Sequence, residues 1–134
     1  MKLSNRRIDP RTDSSYSLQN LLRVRSERHT LALALLLTPD GILMAGNQVS
    51  RAAERLAAHT AREVFLDGAP ERLSREAPRT GARLAALRFH SRGRPLALAV
   101  LSEQGALALE QVEDLASRVR AILHEADQRV ALAA

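Results

Sequence analysis

Four histidines are the side chains of this sequence that could bind a metal ion or move a proton near neutral pH. They are His29, His59, His90 and His124. They fall on four different predicted elements, and no HExxH or comparable paired spacing relates them. A metal site would require several of them to converge, so we expect surface or locally satisfied histidines and no metal. His90, which follows Phe89 at the end of a predicted strand, is the one histidine with a position that invites attention.

Asp40 is the carboxylate with a position that could suggest an acid or base catalyst. It stands between Pro39 and Gly41, and an aspartate in such a turn usually bonds its own backbone. We therefore predict that Asp40 and Gly41 are structural turn residues. The sequence contains no cysteine, no G-x-S-x-G, no P-loop and no G-x-G-x-x-G motif. We expect no catalytic residues, no cofactor and no enzymatic activity.

The charge balance raises the question of a nucleic-acid partner. The formal net charge is +5 and the pI about 11.1, and a basic chain can attract acidic partners or nucleic acid. Lys2 is the only lysine, and the arginines are scattered over several elements. Tyr16, Phe65 and Phe89 are the only aromatic residues that could stack on a base. Nucleic-acid binding is therefore not expected.

The compartment can be inferred only indirectly. The N-terminus is polar rather than of signal-peptide type. The longest apolar run, Leu31–Leu37, is too short to cross a bilayer, and the absence of cysteine is compatible with a reducing compartment. We expect a cytoplasmic protein without membrane insertion.

The elements that must position these residues follow from hydrophobic periodicity. Residues 1–15 lack an apolar period and are predicted to form a flexible tail. The folded domain is predicted to span residues 16–128, and residues 129–134 are expected to fray. Ser17 could cap a first helix that runs to about Arg28.

The segment Thr30–Leu37 is apolar on both faces of a strand, so we predict a central strand with helices on both sides of its sheet. A turn at Thr38–Gly41 leads into a short antiparallel strand, Ile42–Ala45. Asn47 or Ser50 could then cap a second helix. Its predicted apolar stripe comprises Val49, Ala52, Ala53, Leu56, Ala57, Thr60, Ala61, Val64 and Phe65.

The second half of the chain starts with an irregular stretch. Residues 66–81 are rich in Pro, Gly, Arg and Glu, and no strand can be placed there from sequence. Strands are predicted at Ala82–Phe89 and Pro95–Leu101, joined by a hairpin turn at Ser91–Arg94. A loop at Gly105–Ala108 precedes a last helix at Leu109–Asp127. An antiparallel meander with helices on both faces would bury these stripes.

This layout resembles the Roadblock/LC7 family, including bacterial gliding-motility regulators of the MglB type. The similarity covers roughly residues 17–126. It rests on the apolar strand Leu31–Leu37, the Asp40-Gly41 turn, the strand Ile42–Ala45, the Ala/Leu helix that begins at Ser50, and a closing strand and helix. The resemblance implies an α/β fold of the profilin-like or Roadblock-like kind, with a five-stranded antiparallel sheet and helices on both faces.

The resemblance also implies a function. Members of the family are non-enzymatic platforms that bind small Ras-like GTPases, motor subunits or signalling partners, and they form homodimers through the second helix and the third strand. We therefore predict a homodimeric adaptor or regulator that binds a small Ras-like GTPase or a signalling complex. The alternative is a GAF-like small-ligand sensor, because Arg92–Val100 followed by a terminal helix also looks like the end of a GAF domain.

The second helix is the candidate interface. Ala52, Leu56 and His59 align along one ridge at helical spacing. The predicted dimer and partner interface consists of Ala52, Arg55, Leu56, His59 and Arg62. The competing interpretation is that the second helix is purely structural and that its apolar stripe only packs on the sheet. Arg55 and Arg62 also prompt the idea of an arginine finger, but exposed helical arginines are usually solvated charges, so we expect neither to act as one.

Overall fold

The computed structural model describes residues 10–76, 82–102 and 109–133. The elements, in chain order, are α1 (Pro10–His29), β1 (Leu33–Leu37), β2 (Leu43–Gly46), α2 (Arg51–Val64), β3 (Arg72–Glu76), β4 (Arg83–Ser91), β5 (Arg94–Ser102) and α3 (Leu109–Ala133). The strands form one five-stranded sheet in the order β2-β1-β5-β4-β3, and all neighbours are antiparallel. The predicted α/β fold with an antiparallel five-stranded sheet is confirmed.

Strand β1 lies inside the sheet, between β2 and β5, and all of its residues are buried. Because side chains alternate along a strand, its two faces enter different cores. Leu35 and Leu37 pack with Ala57 and other residues of α2, whereas Leu36 packs with residues of α1 and α3. The uniformly apolar run therefore reflects helices on both faces of the sheet, as predicted.

Helix α2 begins with a serine cap. The Ser50 side chain accepts a hydrogen bond from the Ala53 backbone N–H at 3.1 Å, which satisfies one of the helix's free donors. Asn47, the other candidate, instead accepts from Ala34 N–H at 3.0 Å and donates to the Ala32 carbonyl at 3.2 Å. Asn47 thus extends the pairing beside β1, and Ser50 caps the helix.

Loss of this cap is expected to cost about 1 kcal/mol in the free energy of unfolding. The variant is Ser50→Ala, and urea denaturation followed by circular dichroism measures the change. Ser17→Ala is the matched control, since Ser17 lies within α1 rather than at its start and should lose little or nothing. A loss at Ser17 equal to the loss at Ser50 would contradict the cap assignment.

Three segments differ from the sequence-based expectation. Helix α1 begins at Pro10, so Ser17 is an internal helical residue and not the predicted cap; proline is well tolerated in a first helical turn. Helix α3 continues to Ala133, beyond the predicted end at Asp127. Residues 1–9, 77–81, 103–108 and 134 lie outside the described part of the chain. The predicted loop at Gly105–Ala108 therefore also lies outside it. The limits of the tail and of the domain stay predictions.

The third difference is strand β3, which occupies part of the stretch predicted to be irregular. It pairs with β4 along its whole length, from Arg72 opposite Leu87 to Glu76 opposite Arg83. Its side chains alternate between exposed and half-buried, because it lies at the edge of the sheet. Charged residues are common on edge strands, where the side chains have fewer neighbours to cover them. Because of this charged composition, the strand could not be predicted from the sequence.

No helix of the described residues is long and apolar enough to cross a bilayer.

Candidate functional site on helix α2

One side of α2 faces the sheet, and the adjacent side borders an open groove. The helix buries Ala53, Ala57, Thr60, Ala61 and Val64. The groove has a volume of about 580 Å³, and all of the predicted interface residues line it: Ala52, Arg55, Leu56, His59 and Arg62. The remaining lining residues are Ala58, Leu33 and Leu101. The structure therefore brings the predicted residues together on one surface.

The groove combines an apolar centre with a basic rim. Leu33 and Leu101 are opposite each other in the β1–β5 pairing and lie beside Leu56, which also packs against the sheet. Arg55, His59 and Arg62 are exposed. Among the described residues, neither Arg55 nor Arg62 forms an ion pair. Apolar centres with polar rims are common in protein–protein interfaces.

Leu33 and Leu101 were not predicted to be groove residues. Every residue of β1 is apolar, so its pattern does not distinguish a residue that is covered by α2 from one at the helix margin. Leu101 joins the groove only because β5 pairs directly with β1. No local signal in the sequence indicates that pairing.

Helix α2 is tied to the edge strand β3 by a bidentate ion pair. The Arg75 guanidinium donates from Nε to Glu63 Oε2 at 2.8 Å and from Nη2 to Glu63 Oε1 at 2.7 Å. These hydrogen bonds, with the charge of the carboxylate, raise the pKa of Arg75 above its ordinary value. Two parallel hydrogen bonds constrain the geometry of the pair, so the end of α2 and β3 keep a defined relation.

A second arginine holds the C-terminal end of α2. Arg88 donates from Nη1 to the Val64 carbonyl at 2.8 Å and from Nη2 to the Ala69 carbonyl at 3.3 Å. The last carbonyls of a helix lack partners within the helix, and a positive charge there also suits the helix dipole. Arg88 therefore anchors both α2 and the following loop to β4.

Asp40 and Gly41 lie in the turn between β1 and β2. The Gly41 N–H donates to the Thr38 carbonyl at 2.9 Å, and the Thr38 N–H donates to the Ile42 carbonyl at 3.1 Å. Gly41 has a φ of +83°, and a Cβ at this position would lie 3.0 Å from the Ala58 Cα of α2. The side chain of Asp40 is exposed. Gly41 thus lets the turn approach α2 closely.

The histidines do not all remain apart. His90 and His124 line the same cavity on the α3 side of the molecule, although the sequence placed them on unrelated elements. His29 and His59 line two other cavities. The described residues contain no group of three or more His, Cys, Asp or Glu side chains that could hold a metal ion.

Comparison with known proteins relates the fold to solved structures. Neither a family model nor a curated protein matches the sequence. A structure described as "MglB with tetrameric arrangement" superposes with a TM-score of 0.65 at 16% identity, over 84% of this chain and 92% of that chain. MglB from Myxococcus xanthus superposes with a TM-score of 0.62 at 12% identity, over 94% of this chain and 96% of that chain.

A Roadblock/LC7 domain from Streptomyces avermitilis superposes with a TM-score of 0.53 at 20% identity, over 69% of this chain and 82% of that chain. At these identities the similarity establishes the fold. The chain therefore has a Roadblock/LC7 fold of the MglB type.

Proposed function

We propose that this protein is a non-enzymatic homodimeric regulator that binds a small Ras-like GTPase or a related signalling complex. The observation that carries the proposal is the groove beside α2, which gathers Ala52, Arg55, Leu56, His59 and Arg62 on an MglB-like fold. MglB-type proteins resemble this chain in fold, and the GTPase partner is inferred from that resemblance. The same resemblance supports a bacterial, cytoplasmic protein.

The shape of α2 supports pairing with a second copy. Ala52 is exposed and Leu56 is only half-buried, so small and medium apolar side chains project beyond the sheet. A second α2 could approach them closely, with ridges that fit into grooves. A two-fold interface uses the same patch on both subunits, so each apolar contact would occur twice.

Strand β3 supplies the second half of the proposed interface. Within the part of the chain that the structure describes, it is an edge strand with one unpaired side, and the Arg75–Glu63 pair fixes it relative to α2. Edge strands are ready templates for pairing with another chain. A dimer could therefore join through α2 and β3 together, and present one composite surface to its partner.

Regulation would occur through binding. A dimer that has higher affinity for one nucleotide state of a GTPase shifts the population toward that state, by as much as the two affinities differ. The proposal requires no catalytic group from this chain.

Two measurements test the proposal. Light scattering should give twice the monomer mass for the wild-type chain. Interferometry should then detect binding to a purified Ras-like GTPase from the same genome, with affinities that differ between its GDP-bound and GTP-analogue-bound forms. A monomeric wild type overturns the dimeric regulator. A dimer that binds none of the genome's Ras-like GTPases overturns the GTPase partner.

If the partner's GTP hydrolysis is stimulated, neither exposed arginine of the groove is expected to act as an arginine finger. Loss of a true finger lowers the turnover rate by about 10³–10⁵-fold. We expect Arg55→Ala and Arg62→Ala to weaken binding and to retain the stimulated rate at saturating protein. Single-turnover hydrolysis at saturation distinguishes these results. A collapse of the rate in either variant would contradict this expectation.

The GAF-like sensor is less well supported. Such a sensor needs a cavity that encloses a ligand. The α2 face of the sheet is instead filled by Leu35, Ala57, Val64 and their neighbours, which are all buried.

A further inference from the structure

A second cavity lies on the opposite side of the sheet from the α2 groove. It has a volume of about 420 Å³ and forms between the β4–β5 hairpin and α3. The hairpin contributes His90, Ser91 and Arg92, and α3 contributes Ser117, Arg120 and His124. The α3 residues recur at spacings of three and four, so they share one face of the helix.

The lining of this cavity is basic. It contains two arginines, two histidines, two serines and Ala121, with no carboxylate among the described residues that line it. Positive groups that line one depression attract anions through their summed field, although most of these side chains are solvent-exposed and salt screens the attraction. Guanidinium, hydroxyl and imidazole N–H groups are all hydrogen-bond donors. The cavity is therefore suited to an oxyanion.

Arg120 differs from its neighbour on α3. Arg118 pairs with Asp114 at 3.3 Å, and Arg25 reaches the same carboxylate at 3.3 Å. Arg120 has no ion-pair partner among the described residues and lines the cavity instead. A guanidinium that faces a cavity without a carboxylate can donate to a ligand without first breaking a salt bridge.

The backbone on both sides of the cavity is well supported. Arg92 and Gly93 have φ values of 54° and 78°, which are typical of the tight two-residue turns that join hairpin strands. Ser91 pairs with Arg94 directly beneath the turn. On the other side, Val119 and Leu123 of α3 are buried against the sheet. The donors are thus carried by elements that need little reorganisation on binding.

We propose that this cavity binds a diphosphate-type group. Arginine matches phosphate oxygens with two parallel hydrogen bonds. The volume falls within the usual range of small-molecule sites, about 300–1,000 Å³, so it can hold a ligand larger than one phosphate. The site is separate from the α2 groove, so it adds a small-molecule input to the protein whether or not the proposed dimer forms.

Titration with inorganic pyrophosphate tests the proposal. Isotope-labelled protein should show saturable shifts of the backbone amides of residues 91–94 and 117–124. Calorimetry should show that Arg120→Ala weakens binding about tenfold or more. Arg118→Ala is the matched control, because it removes the same charge one position outside the cavity lining; its affinity should stay within about twofold of wild type.

A second variant guards against loss of folding. Ala121 is an exposed residue of the cavity lining, so Ala121→Asp should leave the helix intact, as circular dichroism can verify, and should abolish pyrophosphate binding. If Arg118→Ala and Arg120→Ala weakened pyrophosphate binding equally, pyrophosphate would be attracted by the overall positive charge of the protein. That result would overturn the proposed site. Absence of saturable binding at millimolar pyrophosphate would overturn it as well.

The phosphate oxyanions of such a group occur in soluble metabolites, and similar oxyanions occur in lipid headgroups. Co-sedimentation with phosphatidylcholine vesicles, with and without phosphatidic acid, separates the two sources. Arg120-dependent binding of pyrophosphate without co-sedimentation supports the site and identifies a soluble ligand. Arg120-dependent co-sedimentation that pyrophosphate competes away supports the site with a lipid ligand. Co-sedimentation that is indifferent to Arg120→Ala, with no pyrophosphate binding, overturns it.

Discussion

Leu56→Arg is expected to convert the proposed dimer into folded monomers. Leu56 lies at the centre of the groove beside α2, between Ala52 and His59 on one helical ridge. In a two-fold dimer the substitution would place two guanidinium groups at one apolar contact, where both lose hydration and repel each other. The dissociation constant should rise by about a hundredfold or more. Light scattering over a dilution series measures this change.

The control must separate a broken interface from a damaged fold. Leu56 is half-buried and also contacts the sheet, so Leu56→Arg could lower stability by itself. Ala52→Arg avoids this problem, because Ala52 is exposed on the same ridge. Val49→Arg is the matched negative control, since Val49 is 73% exposed and lines a different cavity, near β2. Dimers that persist in both Leu56→Arg and Ala52→Arg would rule out the α2 interface.

Gly41→Ala is expected to lower the free energy of unfolding by about 2–4 kcal/mol. Two costs combine at this position. The φ of +83° disfavours any L-side chain, and the new Cβ would lie 3.0 Å from the Ala58 Cα. The contact with the Ala58 Cα involves the backbone of α2, which cannot move aside as a flexible side chain could. The turn would have to shift away from α2.

Gly68→Ala isolates the backbone cost from the contact. Gly68 has a similar φ of +82°, and a Cβ there would meet nothing within 4 Å. We expect this variant to lose about 1–2 kcal/mol. Urea denaturation of both variants at one protein concentration keeps any contribution from self-association equal in the comparison. Equal losses in the two variants would contradict a close packing of the turn against α2.

Much of this fold could be predicted from local patterns. The uniformly apolar run of β1 indicated a strand that is buried on both faces, and Leu35 and Leu36 indeed enter opposite cores. The 3.6-residue period of α2 predicted most of its buried side, although Val49 of the predicted stripe is exposed. Ser50 was one of the two predicted candidates for its cap. These features depend on residues within a few positions of each other, where side-chain direction and capping chemistry are set by the local backbone.

Two other local signals were misleading. Ser17 has the side chain of a helix cap, yet the helix continues through it from Pro10. The stretch around Arg72–Glu76 has a weak strand propensity, yet it pairs with β4, and Arg75 binds Glu63 of α2. Strand propensity depends strongly on neighbouring residues in the sheet. Whether a polar segment forms an edge strand is therefore determined by the strand with which it pairs.

The sequence by itself determined the helices and strands with strong apolar periods, the identity of α2 as the helix with an outward ridge, and the absence of the common catalytic motifs. Only the tertiary structure decided which distant residues meet. The sheet order β2-β1-β5-β4-β3 brings Leu101 beside Leu33 in the α2 groove, and the packing of α3 brings Arg120 to the β4–β5 hairpin. Periodicity shows which side of its own helix or strand a side chain occupies. Which other helix or strand packs against that side depends on the apolar surface buried over the whole chain.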